Sequence, residues 1–110
     1  MIGYDALKKM DYIESLSIWN GNIDDSKFEN LIESIEDLPN LETLSLPNNQ
    51  ISDISPLIVM RYLKNLNLEN NQVEDVSPLL LLNLSSLNLS DNPLENPEII
   101  NHAEIDDLTI

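Results

Sequence analysis

The 110-residue chain carries 20 acidic and 5 basic side chains, a formal net charge of -15. That balance repels phosphates, so nucleic-acid binding, whose affinity rests on basic contacts, is disfavoured. It also favours solubility and opposes self-association at low salt. With no cysteine there is neither a disulfide framework nor a thiolate metal site. Residues 1–9 lack the apolar stretch of a secretory signal. The longest apolar run, 79–82, is too short to span a bilayer, so no membrane role is expected. A cytoplasmic protein of one domain, 1–110, is the expectation, or a secreted one if a signal has been removed.

Taken in chain order, residues 1–12 read as the return half of an earlier unit, with Leu7 and Met10 at the spacing of Ile35 and Leu38. A strand is predicted near 14–18, inside the stretch Ile13-Glu14-Ser15-Leu16-Ser17-Ile18-Trp19-Asn20-Gly21-Asn22-Ile23. Ser26-Lys27-Phe28-Glu29 reads as a capping box. Phe28, Leu31, Ile32 and Ile35 follow at helical spacing, which predicts a helix near 26–37. The stretch Leu41-Glu42-Thr43-Leu44-Ser45-Leu46-Pro47-Asn48-Asn49-Gln50-Ile51 places a strand near 42–46. It recurs 22 residues later as Leu63-Lys64-Asn65-Leu66-Asn67-Leu68-Glu69-Asn70-Asn71-Gln72-Val73, with a strand near 64–68. After a further 21 it returns as Leu84-Ser85-Ser86-Leu87-Asn88-Leu89-Ser90-Asp91-Asn92-Pro93-Leu94, with a strand near 85–89. A half-copy from Ile105 ends in a strand near 106–110. Ser55-Pro56 and Ser77-Pro78 place an N-cap before a first-turn proline, so those returns should be short helices or 3₁₀ turns.

These register-locked copies of L-x-x-L-x-L-x-x-N-x-L resemble the leucine-rich repeat family over nearly the whole chain. The middle units resemble the 21- to 22-residue subclass shared by phosphatase-regulator-like proteins and bacterial internalins. The first unit, 28 residues long, resembles the fully helical subclass of ribonuclease inhibitor. The resemblance implies an α/β fold, a right-handed solenoid with a curved parallel sheet on the concave side and helix and 3₁₀ returns on the convex side. The side-chain alternation of a strand agrees, since Leu44 and Leu46 then point inward and Thr43, Ser45 and Pro47 point out. Asn49, Asn71 and Asn92 leave each strand at the bend, where a buried amide satisfies backbone groups of neighbouring turns. Gly21 stands at that ladder position in the first unit.

Chemistry finds little footing. His102, the only histidine, has no Ser and carboxylate at a recognisable spacing and is expected to be partly exposed in the last return. The acid pairs Asp24/Asp25, Glu74/Asp75 and Asp106/Asp107 are better explained as solvated faces in so acidic a chain. Only Gly3 and Gly21 are present, so a glycine-rich phosphate loop is not possible. Asp53 and Asp75 share one repeat column. They read as turn and cap residues, because calcium needs a compact loop of oxygen ligands that is missing here. No catalytic residue, metal site or cofactor is therefore expected, and the chain is not read as an enzyme.

The binding face is the informative site. By register its columns are Ser15, Thr43, Asn65, Ser86 and Asp107; then Ser17, Ser45, Asn67, Asn88 and Thr109; then Trp19, Pro47, Glu69 and Ser90. Small polar residues leave room for a partner to approach. Trp19 reads either as an interface anchor, a common role of tryptophan, or as part of an N-terminal cap. Glu69, with Glu14, Glu42 and Asp107 near it by register, favours a protein partner with a basic surface. The expected function is a non-catalytic protein-protein interaction module. The alternatives are a regulatory subunit of an enzyme such as a phosphatase, an internalin-like secreted adhesin fragment, and an acidic chaperone for basic proteins. A strand that ends the chain at Ile110 leaves an open edge, so a monomer or weak self-association through that edge is expected.

Overall fold

The computed structural model describes residues 4–110, excepting the side chain of His102, so the expectation for that imidazole lies outside the described residues. Five three-residue strands carry the repeat: β1 (Ser15–Ser17), β2 (Thr43–Ser45), β3 (Asn65–Asn67), β4 (Ser86–Asn88) and β5 (Asp107–Thr109). They form one open parallel sheet in sequence order, β1-β2-β3-β4-β5. Register puts Leu16, Leu44, Leu66, Leu87 and Leu108 in a single column. One such strand has a single inward leucine and cannot bury it alone; stacking covers it on both sides. Leu44, Leu66 and Leu87 are accordingly buried, while Leu16 and Leu108 on the two outer strands are only half-buried.

The returns obey a different period. In 3₁₀ geometry three residues make a turn, so one residue in three faces the core. Leu57 in the return Ser55–Val59 and Leu79 in Ser77–Leu81 point in, and their carbonyls accept from the N–H groups of Met60 and Leu82 at 2.9 and 3.2 Å. The intervening Ile58, Val59, Leu80 and Leu81 are left exposed. Residues Asp5–Lys9 form the same kind of turn, and Met10 N–H donates to Leu7 O at 3.0 Å as its counterparts do. That segment therefore has the geometry of a return, and Leu7 packs against the core from its end.

The first return is a true helix, α1 (Asp25–Ile35), burying Phe28, Leu31, Ile32 and Ile35. Its cap corrects the expectation of a Ser26–Glu29 box: Asp24 is the N-cap, and its carboxylate accepts from Lys27 N–H at 2.9 Å. The helix also stops short of residue 37: past Ile35 the chain tightens into a three-residue turn, with Leu38 N–H donating to Ile35 O at 3.0 Å. Ser55 and Ser77 likewise do not cap their returns. The cap positions are Ile54 and Val76, without a side-chain bond, and Asp53 and Asp75 accept from Ser55 and Ser77 N–H at 3.0 and 2.9 Å. An aspartate side chain reaches a backbone N–H two residues on more easily than a serine reaches around a proline.

Each of β1 to β4 leaves through a left-handed residue just before the ladder position: Asn20, Asn48, Asn70 and Asp91, with φ from 53° to 59°. Asparagine and aspartate tolerate this region better than other non-glycine residues. Asn70 also donates to the Asn48 side chain at 2.8 Å, which ties successive bends together.

Candidate functional site: the strand face

Three outward columns cover the open side of the sheet, and the structure treats them differently. In the outermost column the side chains satisfy one another. Ser86 Oγ donates to Asn65 Oδ1 at 2.8 Å, and Asn65 Nδ2 donates to Thr43 Oγ1 at 3.0 Å. In the middle column Asn67 Oδ1 accepts from Glu69 N–H at 2.9 Å, and Asn88 Oδ1 accepts from Ser90 N–H at 3.0 Å and from Ser90 Oγ at 2.7 Å. These bonds fix both side chains by their oxygens. Among the described residues neither Nδ2 has an acceptor, so two adjacent amide donors remain for a ligand. In the third column Ser90 Oγ lies 3.4 Å from Glu69 Oε1; at the opposite end of the strands Glu42 pairs with Lys64 at 3.4 Å.

A shallow hollow lies over β2 to β5, with Thr43, Ser45, Asn65, Asn67, Ser86 and Asn88 on its walls and the edges of Leu44, Leu66 and Leu87 between them. Asp107 and Thr109 close its far end. Ser15, Ser17, Trp19 and Glu69 lie outside its lining. Trp19 stands just beyond β1, next to Ile18 and Asn20, whose N–H groups donate to Ser45 O and Pro47 O. It is 67% exposed, so nothing among the described residues covers it as a cap would.

Beneath the bends the asparagine ladder makes the face rigid. Asn71, 1% exposed, donates to Leu46 O and Leu68 O at 2.9 and 3.0 Å and accepts from Ile51 N–H at 3.1 Å. Asn49 donates to Leu46 O at 3.1 Å and to Ile18 O at 3.0 Å, and accepts from Gly21 and Ile23 N–H. Asn92 donates to Leu68 O and Leu89 O at 2.8 and 3.0 Å and accepts from Val73 N–H. The carbonyls of Leu46 and Leu68 are thus each shared by two ladder amides, so the rungs are coupled. Gly21 is required where it stands, since a Cβ there would meet Ile18 Cγ2 at 2.9 Å and Asn49 Oδ1 at 3.4 Å.

Titration is perturbed away from this face. Partial burial would raise the Asp25 carboxyl, but hydrogen bonds from the Ser52 hydroxyl and from the Ser52 and Asp53 N–H groups outweigh it and hold the group below the usual range. Asp75 is held low by the Ser77 hydroxyl and by the Asn96 amide. Burial first, and then the Asp24 charge, push the Tyr4 phenol up. A carboxyl lowered by folding stabilises the native state above about pH 4 and loses that contribution as pH falls through the folded value. The Asp25→Asn variant should therefore be less stable than the parent at neutral pH, with the gap closing in acid. Urea unfolding at neutral and acidic pH checks this, and a gap that does not change with pH would contradict it.

The geometry is that of one repeating unit, and comparison with known proteins agrees. The Leucine Rich Repeat family model matches residues 40–61 and 83–103. The chain is a leucine-rich repeat protein. A solved structure of internalin C2 from Listeria monocytogenes is similar, with 26% sequence identity and a TM-score of 0.70. That match covers 96% of this chain and 54% of the other, so the repeat protein spans about half the length of the internalin chain. No curated protein matches the sequence significantly. Among the described residues no helix of this repeat protein is long and apolar enough to cross a membrane.

Proposed function

We propose that this leucine-rich repeat protein is a non-catalytic interaction module that holds a protein partner in the hollow over β2 to β5. The observation that carries this is the pair of amide donors of Asn67 and Asn88, fixed by their own oxygens in neighbouring strands. Such donors meet backbone carbonyls or carboxylates of a partner without reorganising, which lowers the ordering cost of binding. Asp107 at the far end of the hollow, with Glu69 beyond its lining, favours a partner that also brings lysine or arginine. Trp19 extends the contact beyond β1 as an aromatic anchor. The family match and the likeness to an internalin fit a binding scaffold, although a fold hosts many partners and does not choose among them. Enzyme regulation and adhesion would use the same face and differ in the partner.

Affinity capture with the full chain tests this, using the Asn67→Lys/Asn88→Lys double variant and Trp19→Ala beside the parent. A specific protein retained by the parent, lost with the double variant and weakened with Trp19→Ala supports the reading, provided both variants keep the parent's melting temperature. Equal capture by all three would sink it. If the captured proteins are basic and are all released by moderate salt, binding is diffuse electrostatics of the acidic-chaperone kind, since screening removes that term first.

A further inference from the structure

On the side opposite the sheet the surface steps down where the 11-residue helix α1 gives way to the five-residue return Ser55–Val59. A groove follows that step. Ile32, 2% exposed, lies at its floor with Pro56 beside it. One wall is aliphatic: Ile58 is 44% and Val59 46% exposed. The opposite wall is acidic, formed by Glu29, Glu33 and Glu36, all exposed. Their i, i+4, i+7 spacing puts them in one stripe along α1, ~10 Å long at helical rise. Among the described residues the ion pairs are Lys8 with Asp5 and Lys64 with Glu42, so none of the three glutamates is paired, and the one cation beside them is Lys8, which shares a cleft with Glu33 and Glu36 on the far side of α1. The aliphatic wall runs on into the next return, where Leu80 is 46% and Leu81 70% exposed. Contiguous apolar surface beside a charged border marks an interaction site more often than chance exposure does.

We propose that this groove takes a basic amphipathic α-helix of a protein partner, its aliphatic flank on Ile58 and Val59 and its lysines or arginines along Glu29, Glu33 and Glu36. The shape argues for a helix. The step is the room that a second full α-helix would occupy if the next return were as long as the first, and α1 supplies the straight wall that helix packing needs. The charge argues for a basic one. A second copy of this chain would instead set another glutamate stripe and another net charge of -15 against the first, which opposes self-pairing. The site lies on the face opposite the hollow and does not depend on what that hollow binds.

The test is fluorescence anisotropy of the full chain with a labelled peptide of about 18 residues, ~27 Å as a helix. Leucines would be patterned on one flank and lysines on the adjoining one, with a scrambled peptide of the same composition as control. The patterned peptide is expected to bind at least about tenfold tighter than the scrambled one. Ile58→Asn/Val59→Asn should remove that preference, and Glu33→Gln/Glu36→Gln should weaken binding and flatten its salt dependence. Asn67→Ala/Asn88→Ala on the other face should leave it unchanged. Because the glutamates sit in solvent, their replacement keeps the test valid should the Ile58/Val59 variant misfold. Equal binding of the two peptides overturns the proposal, as does indifference to the glutamate pair. So does a chain that sediments as a dimer and becomes monomeric on Ile58→Asn/Val59→Asn, which would assign the groove to a second copy.

Discussion

Replacing Asn71 by alanine is expected to cost about 2–4 kcal/mol of folding stability, a fall of roughly 10–20 °C in melting temperature. The figure follows from which groups are left behind. Ile51 N–H loses its acceptor, since it donates to Asn71 Oδ1 at 3.1 Å in a buried setting. Leu46 O and Leu68 O fare better, because each keeps one bond, from Asn49 and Asn92 respectively. Glu69 O loses a longer bond and keeps that from Asn48 N–H, so the loss is one orphaned donor, three partly satisfied acceptors and a small void. Asn71→Asp should be worse than alanine at neutral pH, because an isosteric carboxylate would face the Leu46, Leu68 and Glu69 carbonyl oxygens with no proton to give them. Thermal unfolding of the two variants checks this. Alanine within about 0.5 kcal/mol of the parent would mean that the ladder is decoration.

Phe28→Ala is expected to cost about 3–5 kcal/mol, the range for removing a fully buried aromatic. Phe28 has no exposed surface and belongs to the single apolar cluster that runs the length of the stack. It anchors α1, which packs against the Asp5–Lys9 turn on one side and the Ser55–Val59 return on the other. In a repeat stack, stability is a sum of unit and nearest-neighbour terms. The variant should therefore lose amide protection in α1 and the N-terminal turn before it loses protection in β4 and β5. Hydrogen exchange reads this directly, and uniform loss of protection along the chain would contradict it.

The sheet was legible because its determinants are local and periodic. L-x-x-L-x-L fixes which side chain of each short strand points in, and the recurrence of Leu44, Leu66 and Leu87 at the same place in each copy then sets the register. The ladder was legible for the same reason, down to Gly21 as the odd member. The caps were not. Asp24-Asp25-Ser26 offers three capping side chains in a row, and local rules chose Ser26. Asp25 is instead drawn 27 residues along the chain to Ser52, and Asp24 takes the helix end. Long-range bonds of that kind leave no periodic mark. Exposure in the returns was hidden too, because Leu57-Ile58-Val59 and Leu79-Leu80-Leu81 look uniformly apolar. Only the three-residue turn reveals that two of each three face out. On the strand face, composition identified small polar columns without separating them. The structure separates Asn65, whose amide is spent on Thr43, from Asn67 and Asn88, whose amides are not. Trp19, which the sequence left open as an anchor or a cap, lies exposed beyond β1 and outside the lining of the hollow.

Amide chemical-shift mapping shows whether a partner lies on the strand face. A ¹⁵N-labelled chain would be titrated with the protein that the parent captures and the Asn67→Lys/Asn88→Lys variant does not. Shift changes are expected to cluster at residues 43–45, 65–67 and 86–88 and at the side-chain amides of Asn67 and Asn88. Changes confined to the returns at 55–59 and 77–81, with the strand face silent, would contradict that placement.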